Sequence, residues 1–264
     1  MNKRGCRSSL NNFFIKNSKG QMTIFIILGV IIVAVAALIY FLYPQIQSTF
    51  FKTTDPQGFI QTCMGDKIKA TIANISLQGG SVYPEHYFTY NGIKIEYLCY
   101  SNEPNQYCVV QQPLLQAHIK NEIEKEINKT VNSCFNDLIK NYQGQGYSTN
   151  LIKGDTIVDI LPKRVLVTFN NQFTITKGNS QRYEKFSVLV NNNLYELLSI
   201  ANSIVNWEFT YGGSDPMTYM MFYPNLKVEM NLRADETKIY TLTERNSGDK
   251  FQFAIRSLVP PILY

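Results

Sequence analysis

The chain has 264 residues, 45% hydrophobic and 17% charged, with a formal net charge of +5. Residues 1–20 hold five basic residues (Lys3, Arg4, Arg7, Lys16, Lys19) and no acid, and the remainder balances 20 Lys+Arg against 20 Asp+Glu. A neutral remainder excludes a nucleic-acid partner, which needs a concentrated basic face to neutralise phosphates.

Met22 to Tyr43 is an uncharged run of 22 residues. About 20 apolar residues, at roughly 1.5 Å each, span a bilayer core of about 30 Å, so this run is expected to be a transmembrane helix. Tyr40 and Tyr43 mark its distal end, where aromatic rings favour the interface, and Pro44 closes it. The uncharged stretch continues to Phe51 as an emerging stem. Basic residues stay cytoplasmic. The expected topology is therefore a basic cytoplasmic leader (1–20), a helix with its stem (21–52), and an extracytoplasmic or surface-exposed remainder, single-pass in the cell membrane. A cleaved secretory signal has a shorter apolar region, about 7–15 residues, before small residues. Tyr40-Phe41-Leu42-Tyr43-Pro44 offers no such site, so the segment should be retained.

The lead-in Lys19-Gly20-Gln21-Met22-Thr23-Ile24-Phe25 resembles the class III signal peptide of archaeal type IV pilin-like proteins. That resemblance implies a membrane peptidase cutting between Gly20 and Gln21, with Lys19 preceding the cut, and an apolar helix that anchors the mature chain or packs in a filament. Phe25 departs from the Glu often found there, which bears on filament assembly more than on processing. An uncut single-span anchor stays open beside it. The Cys63 helix ending in Leu77-Gln78-Gly79-Gly80, the Pro113 helix with Cys134 and the Phe251-Gln252-Phe253-Ala254 strand are also similar, more loosely, to uncharacterised anchored proteins of small-genome archaea.

In the outer part, Asp55-Pro56 can cap and open a helix. Phe59, Ile60, Cys63, Met64, Ile68, Ile72 and Ile75 recur at helical spacing until Gly79-Gly80. Tyr87–Tyr90 and Ile93–Tyr100 face each other across Asn91-Gly92, a strong hairpin signal, and Tyr107–Val110 reads as a third strand. Pro113 opens a second helix reaching about Tyr142, striped by Leu115, Ile119, Ile123, Ile127, Cys134 and Leu138. Its Glu122, Glu124 and Glu126 read as a solvated charge run. These elements form one expected unit, 53–146, ending at Gly144-Gln145-Gly146.

An antiparallel α+β domain is expected over 147–264. Thr156–Leu161, Lys163–Phe169, Gln172–Thr176 and Tyr183–Val190 read as strands, with Asn170-Asn171 and Lys177-Gly178-Asn179 as hairpin ends. A helix follows over Asn192–Asn206, then a short one from Asp215-Pro216. Val228–Leu232, Ile239–Thr243 and Phe251–Ile255 finish as strands. The whole is α+β: a membrane helix, then helices with antiparallel sheet.

Cys63, Cys99, Cys108 and Cys134 are even in number outside the leader, which reads as two disulfides with three possible pairings. A hairpin over Ser101-Asn102-Glu103-Pro104-Asn105 brings Cys99 to Cys108, and Cys63 to Cys134 staples the two helices. Intervening segments of 35, 8 and 25 residues lack the paired knuckles of a zinc site.

Catalytic signatures are absent. The two histidines, His86 and His118, cannot supply a usual imidazole metal site, and there is no G-x-S-x-G, P-loop or H-E-x-x-H pattern. Asp155, Asp159, Asp235 and Glu236 fit turn chemistry better than a calcium loop. Gly212-Gly213-Ser214-Asp215 is a weak anion cradle. The dense Tyr211, Tyr219, Met220, Met221, Phe222 and Tyr223 read first as packing of the last sheet and second as a recognition surface. Asn74 and Asn128 satisfy the N-glycosylation rule. No catalytic residue, metal or cofactor is expected. The expected partners are the lipid bilayer, a pilin-type signal peptidase, and other copies through the Met22–Tyr43 helix. The expected function is a non-enzymatic anchored surface protein, a pilin-like subunit or adhesion or envelope factor; the alternative is an anchored extracytoplasmic hydrolase using carboxylates.

Overall fold

The computed structural model describes residues 26–35 and 55–259. The leader, the expected cut at Lys19, Gly20 and Gln21, both ends of the Met22–Tyr43 run and the stem lie outside the described residues. By contacts the chain divides into two units, Met1–Thr54 and Asp55–Tyr264. In the first, residues 26–35 form an α-helix (α1) whose isoleucine, leucine and valine side chains are all at least half exposed. Among the described residues no helix is long and apolar enough to cross a membrane.

The second unit is α+β. Helix α2 (Pro56–Leu77) starts where Asp55 accepts the N–H groups of Gln57 (3.2 Å) and Gly58 (3.0 Å), with Pro56 in the first turn. Strands β1 (Tyr87–Tyr90), β2 (Ile93–Tyr100) and β3 (Val109–Val110) precede α3 (Leu115–Gly144). Then come β4 (Ser148–Ile152), β5 (Thr156–Leu161), β6 (Arg164–Phe169), β7 (Gln172–Lys177), β8 (Asn179–Tyr183) and β9 (Phe186–Asn191). Helices α4 (Leu194–Tyr211) and α5 (Pro216–Phe222) lead to β10 (Leu226–Leu232), β11 (Thr237–Glu244) and β12 (Lys250–Arg256).

The largest sheet runs β1-β2-β12-β11-β10, with β3 also on β2; two smaller sheets run β4-β7-β8 and β5-β6-β9. Pairing is antiparallel throughout except for β12 beside β2, where the end of the chain returns parallel to an early strand. At the β1–β2 turn Asn91 (φ 50°) and Gly92 (φ 80°) both take the left-handed backbone of a tight hairpin.

The two long helices pack on each other along the expected stripes: Ile60, Met64, Ile68 and Ile72 on α2, Ile119, Ile123 and Ile127 on α3, all at most 1% exposed. The Cys63–Cys134 disulfide staples them, Cα to Cα 6.0 Å, and Cys99–Cys108 closes the β2–β3 loop at 5.3 Å. One buried cluster then extends from Ile60 through α3, the β5-β6-β9 sheet and α4 to Ile255. The loop at Gly144–Gly146 thus joins elements that share a core.

Three local expectations change. Asn170-Asn171 is not a hairpin end: β6 belongs to one small sheet and β7 to the other. The buried Asn171 side chain accepts the Gly154 N–H (2.8 Å) and Asn170 N–H donates to Asp155 O (2.9 Å), which holds a corner between sheets. Tyr183–Val190 is two strand segments broken at Glu184-Lys185, because Tyr183 still pairs with Phe173 while Phe186 pairs with Phe169. The Glu122–Glu126 run is only partly solvated: Glu122 accepts the Val82 N–H (3.1 Å) and Glu124 the Val158 N–H (2.9 Å), so two of the three carboxylates tie α3 to its neighbours.

Candidate functional site

Apolar spacing carries α4 along Leu197, Leu198, Ala201, Ile204 and Val205, and the next position on that buried face is Glu208. Gly212 ends the helix in the left-handed conformation (φ 73°), where a Cβ would sit 2.3 Å from Val259 Cγ2. The loop Gly212–Asp215 turns the chain into α5. With β10, β11 and the segment after β12, these elements enclose an open cleft of about 1310 Å³.

Its floor is charged. Glu208, 0% exposed, accepts Lys238 Nζ (2.6 Å) and the Tyr240 hydroxyl (2.5 Å), and also a bond from the Ser214 backbone. Lys238 Nζ donates again to Gly212 O (2.7 Å), so one ion pair ties helix end, loop and β11 together. Burial pushes the Glu208 carboxyl above its ordinary range, and Lys238, Tyr240 and Ser214 offset only part of that. Burial, followed by the Glu208 charge, pushes the Tyr240 phenol well above its usual value.

The walls are mixed. Trp207 is 46% exposed at the mouth, its ring 4.8 Å from that of Tyr211. Met230 and Leu232 reach the opposite side from β10. Asp215, Asp235 and Glu236 line the rim, and the hydroxyls of Ser214 and Ser257 are buried in the wall without a hydrogen-bond partner. No family model, curated protein or solved structure matches the chain.

The Gly212–Asp215 loop bonds to its own surroundings. Its Ser214 backbone serves Glu208, while the Asp215 carboxylate accepts the Met217 N–H (3.0 Å) and Thr218 Oγ1 (2.7 Å) to cap α5. Those two bonds hold the Asp215 carboxyl below its usual range. The aromatic stretch divides: Tyr219 is buried with its hydroxyl on Ser203 Oγ (2.9 Å), but Met221, Phe222 and Tyr223 stand on the surface. Packing of the last sheet accounts for only part of it.

Elsewhere, Ser81 Oγ lies between Glu96 Oε2 and His118 Nε2 (2.7 Å from the latter). A nucleophilic triad needs the imidazole between acid and hydroxyl. Here the serine stands in the middle and is 5% exposed, so the trio fixes the turn after α2 instead. Burial raises the Glu96 carboxyl despite bonds from Ser81 and Gln112. His86 packs against the rings of Tyr97 and Tyr100. Asp159 pairs with Lys120 (3.0 Å) and Asp235 accepts the Thr237 N–H in a turn. Among the described residues no three His, Cys, Asp or Glu side chains converge to hold a metal. Asn74 and Asn128 are exposed on helices, and Asn128 Oδ1 accepts Thr156 Oγ1 (2.6 Å).

Sequence reasoning missed Glu208, Lys238 and Tyr240 as a group. One signal was present: a carboxylate occupying a position of the apolar stripe, three residues after Val205, requires a buried partner.

Proposed function

We propose that the chain is a non-enzymatic, membrane-anchored surface protein, single-pass with its N-terminus cytoplasmic, processed like an archaeal pilin-like protein and displaying its α+β unit outside the cell for recognition or envelope assembly. The observation that supports this best is the cysteine chemistry: all four cysteines of the second unit are joined in two disulfides. Structural disulfides persist in oxidising, extracytoplasmic compartments. The balanced charge of residues 21–264 and the Lys19-Gly20-Gln21 lead-in to an apolar run fit the same placement.

The cleft favours binding over hydrolysis. A carboxylate-based hydrolase positions two acids at one reacting bond. In this cleft the raised acid, Glu208, already accepts three donors, and Asp215 and Asp235 are engaged with their own turns. The test is N-terminal sequencing of protein from native membranes, with intact mass before and after reduction. Gln21 at the N-terminus and no free thiol among Cys63, Cys99, Cys108 and Cys134 are expected. An intact Met1 overturns pilin-type processing, and four free thiols overturn the extracytoplasmic placement.

A further inference from the structure

We infer that the cleft binds a neutral oligosaccharide, with one sugar ring lying on Trp207. This rests on the reading of the second unit as a recognition domain and names its ligand class.

Trp207 stands between two hollows. The main cleft lies on one side; a second of about 460 Å³, bounded by Tyr219, Phe222 and Tyr223, shares Trp207, Ser214, Asp215 and Thr218 with it. A ligand of several linked rings can therefore run past one half-exposed indole, one face of which packs against Tyr211. Aromatic faces accept the flat C–H faces of sugars through apolar contact, while a sugar's edge carries hydroxyls that both donate and accept.

The polar groups suit such an edge. Asp215 and Asp235 are held by backbone and threonine bonds to both carboxylate oxygens, at 2.7–3.2 Å, which makes them rigid acceptors with lone pairs to spare. Ser257 is 3% exposed, and its hydroxyl and that of Ser214 await partners at the wall. Buried hydroxyls without partners are costly, and a hydroxyl-bearing ligand that reached them would relieve that cost. The rim argues against an anion: three acids face one Arg256, whose guanidinium is taken by Asp235 O and Asn102 Oδ1. A cation such as a lysine side chain is the competitor, because aromatic faces and carboxylates also attract cations. It is the weaker fit, since an ammonium has no acceptor to offer and fills only one point of a two-part cleft.

Trp207 is the only tryptophan of the chain, so its fluorescence reports occupancy directly. The full chain in detergent micelles is titrated with cellohexaose, mannohexaose and chitohexaose, and separately with tetralysine. A saturable fluorescence change with at least one glycan is expected, insensitive to salt. By calorimetry Trp207→Leu should weaken that binding about tenfold, the loss of one aromatic stacking contact, while a single cooperative thermal melt is retained. Binding of tetralysine alone, lost in high salt and in Glu236→Gln, overturns the proposal in favour of a cation site. No response to any of these ligands, or full affinity in Trp207→Leu, overturns it as well. Each of these failures leaves N-terminal processing and surface placement standing.

Discussion

At the scale of single residues, the buried Glu208–Lys238 pair makes the sharpest statement. Removing one partner of a buried pair leaves an uncompensated charge, which costs about 3–5 kcal/mol. Lys238→Met should lower stability by that amount at neutral pH, measured by urea unfolding. Its pH dependence has a defined sign. Burial holds the Glu208 carboxyl above its ordinary 4.5, so the folded protein keeps this proton more readily than the unfolded chain. The contribution is fully present below about 4.5 and is lost as pH rises through the raised folded value. Without Lys238 nothing cationic opposes the burial, and the folded value rises further. The deficit of Lys238→Met relative to wild type should therefore shrink as the pH falls toward 4.5. A deficit that stays constant or grows on acidification would show that Glu208 is not the titrating group.

At the scale of elements, what sequence could tell depended on how local the deciding contact was. The Asn91-Gly92 hairpin needs two adjacent left-handed residues and nothing distant, so it was legible. So were the α2 and α3 stripes, whose period of about four residues from Ile60 to Ile75 and from Leu115 to Ile127 is a property of one helix each. Asn170-Asn171 looked like a hairpin because its composition is that of a turn; its partners, Gly154 and Asp155, lie some 16 residues back. The two glycines after α2 separate the same way. Gly79 (φ +83°) lies where a Cβ would meet the Glu96 backbone nitrogen at 2.9 Å, because Glu96 N–H donates to Gln78 O. Gly92 (φ +80°) has open space around it. Left-handed strain alone costs roughly 1–2 kcal/mol, and a forced shift of packed backbone adds roughly 1–3 kcal/mol. Gly79→Ala should thus lose about 2–5 kcal/mol and Gly92→Ala only about 1–2 kcal/mol. Equal losses in urea titrations would show that the approach of the turn to β2 costs nothing.

At the scale of the whole molecule, topology is what composition and periodicity could not supply. The parallel pairing of β12 with β2 joins Ala254 to Tyr97 and Arg256 to Tyr100, and through it the late strands enter the same core as the early helices. The cleft arises from that closure, since its walls come from α4, β10, β11 and the residues after β12. A stripe position held by Glu208 was visible in the sequence, but its partner 30 residues later on another element was not. The disulfides work at this scale in different measure. Cys63–Cys134 closes a loop of sequence separation 71 and Cys99–Cys108 one of 9. By loop-closure entropy of the unfolded chain these are worth about 4 and about 3 kcal/mol respectively. The longer one also clamps the helices on which the β5-β6-β9 sheet rests, so its loss is felt by every layer. Cys63→Ala with Cys134→Ala should therefore lower the urea midpoint more than Cys99→Ala with Cys108→Ala. The transition should remain single for both, because one continuous core unfolds as one unit. Two separated transitions in either variant would instead divide the second unit near Gly146 into parts that fold independently.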